Sequence, residues 1–99
     1  MEDMPKLGDI VYSKAGRDKN RYYIVMEIDA PYIRTCDGDL HKVEKPKKKK
    51  VKHTKRTENS AEYIRNKLEA GERVTNSEIR RALAEDGVNG GEGSQNVPT

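Results

Sequence analysis

The densest chemistry in the chain is a run of cations. Residues 45–56 carry eight of the 20 Lys and Arg residues (Lys45, Lys47, Lys48, Lys49, Lys50, Lys52, Lys55 and Arg56) and no acid. The formal net charge is only +3 because the flanks lean the other way: residues 1–44 hold seven basic and nine acidic residues, and residues 57–99 hold five and eight. Like charges packed this densely repel one another and need an anionic partner, most often a polyphosphate backbone. A second basic group, Lys14, Arg17, Lys19 and Arg21, surrounds Gly16. A residue without a Cβ there lets backbone approach a phosphate closely. The sequence therefore nominates Lys14, Gly16, Arg17, Lys19, Arg21, Lys47, Lys48, Lys49, Lys50, Lys52, His53, Lys55 and Arg56 as a nucleic-acid contact set.

Other reactive side chains are sparse. Cys36, Asp39 and His41 lie close together and can be drawn as a nucleophile with a base. Such a pair needs a pocket and an orienting shell, which a domain this small seldom supplies, so a buried cysteine is expected and no enzyme. A single cysteine excludes an internal disulfide and a multi-cysteine zinc site. A metal at His41 or His53 would lack further ligands, and His53 sits among cations that repel one. Neither a phosphate loop nor a dinucleotide motif occurs, so no metal or cofactor is expected. Tyr12, Tyr22, Tyr23 and Tyr32 offer ring faces to unpaired bases, although a tyrosine in a small barrel is more often half-buried core. Alternation puts Tyr22, Ile24, Met26 and Ile28 on one face of their strand and Tyr23, Val25 and Glu27 on the other, with Tyr23 expected to be exposed.

The elements that must position these residues follow from the apolar pattern. With 32% apolar residues, no Trp and no Phe, the folded part should be smaller than the chain. Residues 9–13 and 21–28 carry the β-branched and aromatic strand signal, and residues 14–20 read as a tight basic loop with Gly16 and Asn20 at positive φ. A third strand, Tyr32 to Cys36, is expected to meet a fourth, Leu40 to Glu44, across Asp37-Gly38. The register stays open between Thr35 opposite Leu40 and Ile33 opposite Val43. Pro46 ends that strand, and Val51 to His53 would add a short fifth one. Five short strands at this spacing suggest a small antiparallel barrel with a marginal core, which should lean on the C-terminal segment or on a partner.

The period then becomes helical. Asn59-Ser60-Ala61-Glu62 resembles a capping box, Ala61, Ile64 and Leu68 form a stripe, and Gly71 stops the helix. Thr75-Asn76-Ser77-Glu78 is a stricter capping box, with Val74 and Ile79 at staple positions and Ala82 and Leu83 continuing the face to Gly87. Arg80 and Arg81 invite a helix-turn-helix reading, but no third helix is available to hold a recognition helix, so a packing hairpin or docking element is expected. Residues 87–99 hold half of the eight glycines and read as a disordered tail. No apolar run approaches the roughly 18 residues of a membrane span, and the N-terminus lacks the apolar stretch of a secretory signal, so a soluble cytoplasmic protein without membrane contact is expected.

The stretch Lys6-Leu7-Gly8-Asp9-Ile10-Val11 through Lys14-Ala15-Gly16-Arg17-Asp18-Lys19 and on to Tyr32 resembles a KOW motif, whose signature glycine at the eleventh position falls on Gly16. Asp37-Gly38, Val43-Glu44-Lys45-Pro46-Lys47-Lys48-Lys49 and Lys52-His53 are most similar to small bacterial KOW-domain RNA-binding proteins, which are themselves similar to the archaeal and eukaryotic KOW-type ribosomal proteins of the large subunit. One departure is Asn20, standing where the motif usually has a second glycine. Asn tolerates left-handed backbone better than other non-glycine residues. The resemblance covers residues 6 to about 56 and implies an SH3-like β-barrel that touches RNA or protein. The expected layout is therefore a disordered N-terminus (1–5), a KOW SH3-like barrel with the basic stripe (6–56), a helical hairpin extension (57–86) and a disordered tail (87–99). The fold class is mainly β with C-terminal α. The expected function is binding of structured ribosomal RNA of the large subunit, as a ribosome-associated or assembly factor. The helices would be free to contact ribosomal proteins. The alternatives are a protein-interaction adaptor docking through the barrel or the Ile79–Leu83 face, and a DNA-binding protein.

Overall fold

Val, Ile and Tyr crowd into three short stretches, and each becomes a strand. The computed structural model describes residues 4–14 and 21–85. In it β1 (Asp9–Ser13), β2 (Tyr22–Asp29), β3 (Tyr32–Cys36), β4 (Lys47–Lys50) and β5 (Thr54–Ser60) form one antiparallel sheet in the order β4-β3-β2-β1-β5. Two helices follow, α1 (Glu62–Glu69) and α2 (Asn76–Glu85). The architecture is mainly β with C-terminal α.

The sheet is buried on both faces, which explains how so few apolar residues suffice. On one face Ile10, Ile24 and Cys36 pack against Ile64, Val74, Ile79 and Leu83 of the helical segment, with Tyr22 and Met26 at the margin. On the other face Val11, Tyr23, Val25 and Ile33 pack together under Val51. Alternation along β2 divides its residues as the sequence implies, but Tyr23 is fully buried rather than exposed. The second apolar face encloses it. A bulge between Val25 and Glu27 then twists β2, and residues 27–31 are exposed.

The two edge strands are joined by only Val51–His53, a single 3-10 turn. Across a flat sheet of five strands the edges would stand about 19 Å apart. Four Cα steps, from Lys50 to Thr54, span at most about 14 Å. The sheet must therefore curl until its edges approach at that end, and Val51 N–H donates to Pro31 O at 2.9 Å as it does so. The ladder leaves β4 and β5 unpaired with each other, so the sheet is curled but not closed.

Several expected elements lie elsewhere. Leu40 to Glu44 is not a strand, and neither of the two expected hairpin registers forms. The Asp37 carboxylate instead accepts the backbone N–H groups of Asp39 and His41, each at 2.9 Å, competing with any ladder those residues might join. Val43 N–H is taken by Asn76 Oδ1 at 2.8 Å. The strand pairing with β3 is the lysine run, with Thr35 opposite Lys47 and Tyr32 opposite Lys50. Val51 to His53 forms the turn, and the fifth strand is Thr54–Ser60. That strand consumes the expected cap at Asn59: Ser60 pairs with Asp9, and Ala61 N–H donates to Gly8 O at 2.7 Å. α1 consequently starts at Glu62, with no side-chain cap at Ala61. The Thr75 capping box does form, with Glu78 N–H donating to Thr75 Oγ1 at 3.2 Å and Thr75 N–H donating to Glu78 Oε1 at 2.9 Å. At the front of the chain Pro5 is buried, so ordered packing begins ahead of residue 6. The expected tail from residue 87 lies outside the described residues.

Candidate nucleic-acid interface

The basic run is built into the sheet rather than hung from it. Lys47, Lys48 and Lys50 of β4, Lys52 and His53 of the turn, and Lys55 of β5 are exposed, while Lys49 is half-buried. On β4, alternation puts Lys48 and Lys50 on the face of Arg34 and Tyr32, and the Lys48 ammonium stands 4.5 Å from the centre of the Tyr32 ring. Lys47 and Lys49 share the face of Thr35 and Ile33. At the other edge Lys14 N–H donates to His53 O at 2.9 Å, which sets exposed Lys14 beside the turn. The structure thus brings Lys14, Lys52, His53 and Lys55 together, and continues them through the turn to Lys47–Lys50. Gly16, Arg17 and Lys19 lie outside the described residues.

The arginines are placed differently. Arg21 is half-buried and its guanidinium lies 3.2 Å from the buried carboxylate of Asp37. Burial works against that charge, but the hydrogen bond and charge of Asp37 outweigh it and raise the Arg21 pKa above its ordinary value. Arg56 Nε lies 3.3 Å from Asp9 Oδ2, and Arg65 of α1 reaches Asp9 Oδ1 at 2.7 Å and Leu7 O at 2.7 Å. Arg80 donates to Gly38 O at 2.7 Å, which ties α2 to the 37–41 loop. Arg21 and Arg56, nominated for phosphate, therefore also tie parts of the sheet to one another, while Arg65 and Arg80 tie the helices to it.

Gly8 and Gly38 make these approaches possible. Both have positive φ, +83° and +78°. A Cβ on Gly8 would come within 2.7 Å of the Arg65 Cβ, and one on Gly38 within 2.6 Å of Asn76 O.

Sequence reasoning missed Asp9, Asp37, Arg65 and Arg80 as organisers. The signal was present for the first two, because an acid beside an apolar strand must find a partner when buried. For Arg65 and Arg80, helical sequence spacing gives no hint of the loop each one reaches.

The remaining reactive groups are enclosed or paired. Cys36 is buried, and burial, aided by Asp37, pushes its thiol up to about 12, so it stays protonated near neutral pH. The His41 ring lies 5.6 Å from that of buried Tyr23. Among the described residues no group of three or more His, Cys, Asp and Glu side chains is arranged to hold a metal, and no helix is long and apolar enough to cross a membrane. Between the helices, Lys67 Nζ donates to Glu78 Oε2 at 2.8 Å and Tyr63 O–H donates to the same oxygen at 3.0 Å. The Lys67 hydrogen bond, then that from Thr75 N–H, hold the Glu78 carboxyl down at about 2. Asn76 donates to Glu44 at 2.9 Å, which lowers that carboxyl too.

No protein-family model matches the chain, and no curated protein does either.

Proposed function

We propose that the chain is an RNA-binding protein with an SH3-like barrel of the KOW type. Its partner would be structured RNA of the large ribosomal subunit, held through phosphate contacts from the basic edge. The observation that carries this reading is the continuity of exposed cations: Lys47, Lys48 and Lys50, then Lys52 and His53, then Lys55 with Lys14 beside them, on backbone fixed by strands and a three-residue turn. Cations held on a fixed backbone suit contact with the phosphates of a paired RNA, which is read by shape and backbone. The short link and sheet curl support the barrel assignment.

The adaptor alternative loses its helical docking face, because Ile79 is fully buried and Leu83 is 3% exposed in the shared core. Of the two arginines that invite a helix-turn-helix DNA reading, Arg80 is engaged with Gly38 O.

The test is sedimentation of the tagged chain in lysate at low and high salt, with crosslinked RNA sequenced from each fraction. Co-migration with large subunits that is lost at high salt, with crosslinks on Lys47–Lys55, is the expected outcome. Crosslinks to small or messenger RNAs would keep RNA and remove the ribosome, and a chain free of RNA in both gradients would refute the reading.

A further inference from the structure

We infer that the face of the sheet beside the helices carries a pocket for one unpaired nucleotide of the bound RNA, stacked on Tyr12 or Tyr22 with its phosphate on Lys55. The inference rests on the RNA-binding reading and adds to it a contact that paired RNA cannot make.

The register places the pocket. Tyr22 of β2 pairs with Tyr12 of β1, and Tyr12 pairs with Lys55 of β5. Directly opposed residues project from the same face about 5 Å apart, so three neighbouring strands present aromatic, aromatic, cation in one row. The two rings have their centres 5.1 Å apart and are tilted by 57°. One residue back, Ile10 and Ile24 of the same face are covered by the helical segment. The row is thus where the helical cover stops.

The space there is a groove of about 460 Å³ lined by Tyr12, Tyr22, Lys55, Arg56, Thr57 and Glu58. It falls within the roughly 300–1,000 Å³ of sites that enclose small ligands. Thr57 is fixed by donating to Ile10 O at 2.7 Å, so this wall of the groove is preformed. Two ring systems beside the Lys55 cation match a nucleotide, an aromatic base joined to an anion. Glu58 repels phosphate, which assigns the phosphate to the Lys55 end. A base inside a helix has both faces occupied by its neighbours and cannot use the groove. A looped-out base can.

The experiment compares binding of a short oligouridine and of a blunt RNA duplex with equal phosphate count. Tyr12→Leu and Tyr22→Leu should each weaken oligouridine binding about tenfold while changing duplex binding less than about twofold, with the salt slope unchanged. Phenylalanine at either position should restore the affinity. Equal losses for both RNAs, or no loss, would overturn the pocket. Wild-type protein that binds only the duplex would also overturn it but leave the RNA reading intact, whereas binding of neither would remove both. If the leucine variants do not fold, photocrosslinking of a 4-thiouridine oligonucleotide to the unsubstituted protein decides: adducts on Tyr12 or Tyr22 are expected, and adducts confined to Lys47–Lys50 would overturn the proposal.

Discussion

At the seam between sheet and helices, one buried carboxylate, Asp9, holds Arg56 at 3.3 Å and Arg65 at 2.7 Å, and a second, Asp37, holds Arg21 at 3.2 Å. Along β4, four consecutive lysines stand with no acid among them, three exposed and one half-buried. The first region uses charge to fix geometry. A guanidinium offers a planar fork that several acceptors can grip at once, and Arg65 reaches both Asp9 and Leu7 O. The second region gathers cations at a sheet edge, with Lys48 and Lys50 exposed on the face of Arg34 and Tyr32, where flexible, strongly hydrated ammonium groups would suit a partner of variable shape. The difference teaches that basic residues in one small chain divide by whether an acid of the fold faces them, and Lys67, 2.8 Å from Glu78, belongs with the first region. Counting all cations together obscures that division.

If the division is right, the two regions should fail in opposite ways. Reversing Lys47–Lys50 to Glu should reduce RNA affinity on the order of 100-fold and flatten its salt dependence, because each lost phosphate contact removes about 0.7–0.9 from the slope of log K. Urea unfolding of the same variant should move by no more than about 1–2 kcal/mol over the four substitutions, the Lys48–Tyr32 contact and half-buried Lys49 included. A large loss of stability there would break the comparison. Asp9→Asn should do the converse. It leaves Arg56 and Arg65 without their anion and should cost about 2–3 kcal/mol, somewhat less than a fully enclosed pair because both arginines are partly solvated. RNA affinity of the folded fraction, measured by filter binding, should stay close to wild type.

Gly38→Ala comes next. It sits at φ +78° with its Cβ driven against Asn76 O. A cost of about 2 kcal/mol is expected in thermal unfolding. The smallest effect is that of Glu78→Gln. The Glu78 carboxyl titrates near 2 in the fold, below its ordinary 4.5, so its contribution is fully present above pH 4.5 and is lost as pH falls through 2. The melting temperature of the wild type should therefore fall more than that of Glu78→Gln between pH 5 and pH 2.5, as followed by circular dichroism. Parallel profiles would show that the Lys67–Glu78 contact adds nothing to folding.

The parts of the fold that could be read in advance are those where local preference and burial agree. β1 to β3 carry Val, Ile and Tyr in alternation, and the Thr75 box satisfies its own backbone. What could not be read were strands made by tertiary demand. Four lysines have poor strand preference and repel one another, yet β3 needs a partner and Lys47–Lys50 supply its backbone groups. The hairpin expected at Asp37-Gly38 failed because the Asp37 side chain is a better acceptor for its neighbours than a distant strand. The cap expected at Asn59 failed because Gly8 O lies in reach of Ala61. For the candidate site, the lysine run was plain from composition. Its backbone shape, and the engagement of Arg21 and Arg56 with buried acids, depended on contacts remote in sequence.

The lysines of β4 have a further consequence, for the protein's colloidal behaviour. β4 is an edge strand of the sheet, and an edge strand invites a strand from another molecule. Lysine is the residue that most effectively discourages such pairing, through repulsion between copies. That repulsion is screened within about 3 Å at 1 M salt. Salt strong enough to strip RNA from the protein thus also disarms its open edge. Purified protein should remain monodisperse in dilute buffer and associate, edge to edge, in concentrated salt.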